Sequence, residues 1–240
     1  MSDSVIETFI TRWSANEGGA ERANYVLFLT ELCTLLNLPQ PDPAGATRER
    51  NDYVFERAVD AVDAGGHISH RRIDLYKRGH FVLEAKQSRE LGGTKALASA
   101  ANQASLPGIG APDSRGRRSA QAGWDVLMRN AYEQARQYAQ ALPTAHGWPP
   151  FILVCDVGHA IETFADFSLQ GKYRQFPDRN GYRLHLDQLR DPAVRARLAA
   201  IWTDPLSLDP ARRAAIVTSD IARRLAAISR RLEKDRKSVV

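Results

Sequence analysis

From Tyr53 onward the hydrophobic period of this chain changes from helical to alternating, and that change confines it to a mixed α/β architecture. Ahead of the change, Val5, Phe9, Ile10 and Trp13 recur at helical spacing. Glu21 to Leu36 then carries a broad apolar stripe of Tyr25, Phe28, Leu29, Leu32, Leu35 and Leu36. Asn37 is a stop signal just past it, and Pro39, Pro41 and Pro43 begin a loop. Beyond the change, YVFERAV alternates as a strand. After the Gly65–Gly66 turn, HRRIDLY and FVLEAKQ read as two more. Residues 88–123, rich in Gly, Ser, Ala and Arg, show no sustained period and read as a long loop, functional or disordered. A helix is expected from about Val126 to Leu142. FILVCDV and AIETFADF then read as β-rich, with Gly158 between them and RLHL a further candidate, and the chain is helical from Pro192. This order predicts an α/β (α+β) sandwich, helices around a small mixed sheet.

The 240 residues suffice for one substantial core, or one domain plus a helical appendage. A net charge of +5 mildly favours a polyanionic partner. Arginine gathers at Arg115, Arg117 and Arg118, and again at Arg212, Arg213, Arg223, Arg224, Arg230 and Arg231, although solvated helix faces explain such runs equally well. Cys33 and Cys155 both sit in apolar runs and read as buried thiols of a reducing compartment. The amino terminus has no basic region followed by an apolar stretch, and no window holds the roughly 18 apolar residues of a membrane helix. A cytoplasmic protein with no membrane partner is the expectation.

The chemistry concentrates in Arg71 to Ser88. Asp74 lies on one expected strand, Glu84 and Lys86 on the next, where alternation points Glu84 and Lys86 the same way. A two-residue connection would set Asp74 opposite Leu83, on the wrong face. A three-residue one, Lys77-Arg78-Gly79 with Gly79 left-handed, sets it opposite Val82 and diagonal to Glu84, about 7–8 Å away between backbones. Two carboxylates and a lysine on one face suit phosphodiester hydrolysis: Mg²⁺ prefers carboxylate oxygens, and an ammonium can orient water and stabilise developing negative charge. The plain alternative is a solvated strand face, but FVLEAK delivers its charges from a strand apolar enough to be central. In AYEQARQY, Gln134 and Tyr138 fall one turn apart beside Ala131 and Ala135, either as ordering groups for the site or as a boundary residue and a core aromatic. Glu56, in YVFER, is a further candidate carboxylate for the metal, although such residues are commonplace on edge strands. His67, His70 and His80 have no zinc-type spacing, Gly108-Ile-Gly110 is not framed as a cofactor loop, and Trp148-Pro149-Pro150-Phe151 reads as a loop entering a strand.

Asp74…Glu84-Ala85-Lys86 resembles the PD-(D/E)XK nuclease signature, with Ile73 where a Pro is usual, and Gln134-x-x-x-Tyr138 is similar to an accessory motif of that superfamily. FITRWSANEGGAERANYVLFLTELCTLLNLPQP, NDYVFER and RRIDLYKRGHFVLEAKQS together resemble the amino-terminal domain of MmeI-like (type IIL) restriction–modification enzymes. The resemblance covers residues 5–205. It implies a nuclease-like mixed sheet, double-stranded DNA as partner, Mg²⁺ held by Asp74 and Glu84, and Lys86 assisting the attacking water. Self-association on DNA stays open. It also implies domain limits: residues 1–205 as the nuclease, 206–234 as the start of a helical connector, and beyond it an adenine-N6 methyltransferase that alone would bind S-adenosylmethionine. Residues 235–240, DRKSVV, match one frame of a common sequencing adapter and are expected to be non-native. Two other readings stand beside the endonuclease: a fragment whose function resides in the methyltransferase, and a catalytically idle DNA-binding module.

Overall fold

The long apolar strands dictate the architecture, because FVLEAK and FILVCD are buried along nearly their whole length and so require cover on both faces. A computed structural model describes residues 3–16, 21–47, 51–62, 68–88 and 114–238. Its central sheet runs β1 (Tyr53–Val62), β2 (Ile68–Lys77), β3 (Phe81–Lys86), β4 (Phe151–Asp156) and β5 (Ala160–Ala165) in spatial order. The short strands β6 (Arg174–Gln175) and β7 (Arg183–His185) share the outer edge of β5. Neighbours are antiparallel except β3 and β4, whose parallel ladder needs a long crossover. That crossover contains helix α3 (Ser114–Gln140).

Helices α1 (Asp3–Ser14), α2 (Glu21–Leu35) and α4 (Pro192–Thr203) cover the face bearing Leu75, Phe81, Leu83, Phe151 and Leu153. Helix α3 covers the other face, over Val82, Ile152, Val154 and Phe164. The result is the expected mixed α/β sandwich, an α+β nuclease-like fold. Ala131 and Ala135, fully buried, put no bulk between α3 and the sheet. On the first face Trp202 of α4 packs on Phe81 with ring centroids 4.4 Å apart and donates its indole N–H to the Tyr53 hydroxyl at 3.1 Å. Asp191 starts α4 by accepting the Ala193 N–H at 2.8 Å, ahead of Pro192 at the first helical position.

Asn37 ends α2 as expected, at a φ of 53°. The Leu38 N–H reaches the Cys33 carbonyl at 2.8 Å and the Asn37 N–H the Thr34 carbonyl at 3.2 Å, the two bonds of a Schellman motif. Two expectations need correction. Helix α1 buries Ile6, Phe9, Ile10 and Trp13, while Val5 is 51% exposed, because one helical face takes Ile6 rather than Val5. Helix α3 begins at Ser114, twelve residues before Val126, within the stretch read as a loop; its Arg, Ala and Gln favour helix without any apolar period to reveal it. Residues 89–113 of that stretch, the Gly65–Gly66 turn, His67 and Gly108–Gly110 lie outside the described residues.

The last helix, α5 (Pro210–Ser238), leaves Ile216, Val217, Ile221, Leu225 and Ile228 each more than half exposed. No helix among the described residues is long and apolar enough to cross a membrane.

Candidate active site

The β2–β3 connection sets the site. Lys77 pairs with Phe81 and Tyr76 with Val82, so the loop is Arg78–His80, one residue later than the sequence suggested. Lys77 is held in the strand by pairing with Tyr53, and the next residue, Arg78, gives its N–H to the Asp52 carbonyl at 2.7 Å. Gly79 takes the left-handed conformation at a φ of 69°, as expected, and the His80 N–H returns to the Lys77 carbonyl at 3.0 Å. Asp74 is therefore not aligned with Val82; continuing the register sets it level with Glu84.

The β2–β3 ladder stops at Leu75–Leu83, whereas β3 stays paired with β4 through Lys86. At the point of separation the Asp74 carboxylate takes over from the backbone and accepts the Ala85 N–H at 2.7 Å. That bond brings Asp74 to the peptide that joins Glu84 to Ala85. Lys86 turns back over the same segment and donates to Glu84 Oε1 at 2.6 Å. Glu84 is only 2% exposed, while Lys86 keeps 20% of its side chain open to solvent, so the site is reached through the lysine.

The first two strands change face at this point. Tyr53 and Leu75 belong to the core under α1, α2 and α4, but Val59 and Ile73 belong to the core under α3. The switch falls at Glu56 and Asp74, which the β1–β2 pairing skips, and Glu56 has a φ of 52°. A left-handed glutamate costs on the order of 1 kcal/mol. Its carboxylate is fixed by the Tyr25 hydroxyl, which donates at 2.6 Å, and flanked by Arg22 at 3.6 Å and Arg72 at 3.8 Å. Burial raises the Tyr25 hydroxyl above its ordinary pKa, its hydrogen bond to Glu56 adds to this, and the negative charges of Asp74 and Glu56 push the same way. Tyr25 thus feels both carboxylates. Among the described residues, however, no three Asp, Glu, His or Cys side chains gather tightly enough to form a metal-holding group, so Glu56 does not join Asp74 and Glu84 in one.

Helix α3 supplies the other wall. Tyr138 is 3% exposed and accepts a hydrogen bond from Gln134 Nε2 at 2.7 Å, so it is both a core aromatic and a neighbour of the site. Burial raises its pKa; the Gln134 bond opposes this, the charge of Glu84 raises it further, and Arg71 lowers it.

Sequence reasoning passed over the groups that brace this arrangement. Asp156, fully buried at the end of β4, accepts the Ser88 N–H at 2.9 Å, the Ser88 hydroxyl at 2.6 Å and the Trp124 indole N–H at 2.8 Å. It ties the chain just beyond Lys86 to β4 and α3. Gln87 bonds Asn16 at 2.9 Å and Asn24 at 3.0 Å, linking the chain just past β3 to the turn after α1 and to α2. A carboxylate closing the apolar run FILVCD was the available signal for Asp156; nothing in the sequence marked Asn24. Of the histidines near the β2–β3 hairpin, His70 bonds Asp60 at 2.7 Å and His80 the Arg78 carbonyl at 2.8 Å.

Compared with known proteins, the chain matches the family model described as "MmeI, N-terminal domain" over residues 1–235. No curated protein and no solved structure matches it.

Proposed function

Since the chain belongs to the MmeI N-terminal domain family, and with it to the restriction–modification enzymes, we propose that it is a DNA-cleaving domain that hydrolyses phosphodiesters of double-stranded DNA with the help of Mg²⁺. The observation that carries this reading is the hydrogen bond from Ala85 to Asp74, which draws one carboxylate to the segment bearing the other carboxylate and the lysine.

The donor set fits a hard divalent cation. Asp74 and Glu84 offer carboxylate oxygens from adjacent strands, and two such groups leave room for the waters and phosphate oxygens that Mg²⁺ retains. Asp74 and Glu84 would hold the ion, while Glu56 is engaged by Tyr25 and flanked by Arg22 and Arg72. When bound, the ion supplies Lewis acidity: it offsets phosphate charge and eases deprotonation of water.

The chain's own residues do the rest. Lys86 balances the buried charge of Glu84 and, being partly open to solvent, has further N–H donors to offer a water or a phosphate oxygen. Gln134 fixes the Tyr138 hydroxyl beside Glu84, so the wall of the site needs no reorganisation when substrate arrives. Asp74 is held against the strand by the Ala85 N–H.

Isothermal titration of the chain with Mn²⁺ tests the reading without requiring turnover. One saturable site is expected, weakened about tenfold or more by Glu84→Gln and by Asp74→Asn, since even outer groups of metal sites typically contribute 10–100-fold. Heat of binding that is absent, or unchanged by both substitutions, contradicts the assignment.

A further inference from the structure

Resting on the nuclease reading, we propose that Arg71 is a phosphate-binding residue of this site, gripping the backbone of duplex DNA beside Tyr138. Arg71 lies on β2 opposite Val59, two residues from the fully buried Ile73, and so on the face that α3 covers. That part of β2 lies past the point where β3 separates from it, so the exposed Arg71 side chain stands on the unpaired stretch of β2 three residues from Asp74.

Its surroundings suit an anion. Arg72, on the opposite face, is engaged with Glu56 at 3.8 Å. The groups around Arg71 among the described residues are neutral: its Nε donates to Ser69 Oγ at 3.3 Å, and its charge lowers the pKa of the nearby Tyr138 hydroxyl. A phenol oxygen has two lone pairs and one proton. Gln134 donates to the Tyr138 oxygen at 2.7 Å, and the positive charge of Arg71 acts on the same hydroxyl. Arg71 thus presents positive charge and N–H donors beside Tyr138, next to carboxylates that would otherwise repel a phosphate. A guanidinium whose Nε is anchored by Ser69 is also pre-oriented, which favours two-point contact with phosphate oxygens.

The test is fluorescence anisotropy of a labelled 20-base-pair duplex with the whole chain, in EDTA so that neither metal nor cleavage contributes, across a series of NaCl concentrations. Arg71→Ala is expected to weaken binding about tenfold and to reduce the slope of log K against log salt by about 0.9, the signature of one lost phosphate contact. The loss should be equal for two duplexes of unrelated sequence, because phosphate contacts carry no base information. Arg71→Lys should keep the slope while recovering part of the affinity, and Arg174→Ala, on the distant edge strand β6, should change neither. Because Arg71 is exposed, all variants should melt like the parent. An unchanged slope and affinity in Arg71→Ala, a loss confined to one duplex, or no duplex binding by the parent chain would overturn the proposal. Failure of metal binding at Asp74 and Glu84 would leave this measurement standing, so the two claims fail separately.

Discussion

Lys86→Ala should lower the rate at which the chain nicks supercoiled plasmid in Mg²⁺ by at least about a hundredfold, the scale set by removing one preorganised donor from a reaction centre. The ammonium lies 2.6 Å from Glu84 Oε1 and has two roles that the substitution removes together. On the proposed function it would place positive charge where the reaction builds negative charge, and it balances a carboxylate that is 2% exposed. Leaving that charge without its cation costs up to about 3–5 kcal/mol, so part of the loss could come from the fold. Lys86→Arg separates the two effects. It restores the cation and hence the stability, but a planar guanidinium cannot reproduce a compact, rotatable ammonium, and cleavage should stay low. Parent-like nicking by a folded Lys86→Ala protein would remove lysine from the chemistry.

Asp156→Ala carries the largest expected loss of stability. Its carboxylate is fully buried and accepts three hydrogen bonds, two from Ser88 and one from Trp124. Truncation leaves all three donors inside the protein without an acceptor. At about 1–3 kcal/mol for each orphaned group, partly relieved by water entering the space, the cost is on the order of 3–5 kcal/mol. In urea this moves the unfolding midpoint down by about 1–2 M with an unchanged slope. Asp156→Asn keeps one acceptor oxygen and should lose roughly half as much. A midpoint within about 0.3 M of the parent for Asp156→Ala would mean that the bracket between β3, β4 and α3 is not what holds Ser88 in place.

The parts of this site that sequence made legible are those governed by period. Alternation in FVLEAK put Glu84 and Lys86 on one face, and helical spacing put Gln134 and Tyr138 one turn apart, where they hydrogen-bond. Apolar runs with glycine or proline at their ends located five strands and the order of the helices. What escaped was governed by backbone exceptions. The face switch at Glu56 and Asp74 depends on a non-glycine residue with positive φ, which no hydrophobic pattern announces. The register slipped because Gly79 was placed at the end of the connection rather than at its centre, and the parity of the strands survived only because the slip was two residues. The first turns of α3 lacked an apolar stripe to betray them. β6 is two residues long, too short for any alternation to register. Asp156 was visible as a charge ending an apolar strand, but its partners, Ser88 and Trp124, lie 68 and 32 residues away.

The neutral partners of Arg71 and the engaged ones of Arg72 show why charge counting alone was uninformative. Two adjacent arginines on one strand face opposite sides of the sheet, and only geometry distinguishes the one paired with a carboxylate from the one beside Tyr138.

The central claim is that Asp74 and Glu84 together grip one divalent cation. Crystals of the chain soaked in Mn²⁺ and measured at the manganese absorption edge address it directly. The account predicts one anomalous peak bridging the two carboxylates, within about 2.5 Å of an oxygen from each, and lost in Glu84→Gln. A peak bound elsewhere, or one that ignores Asp74, would contradict it.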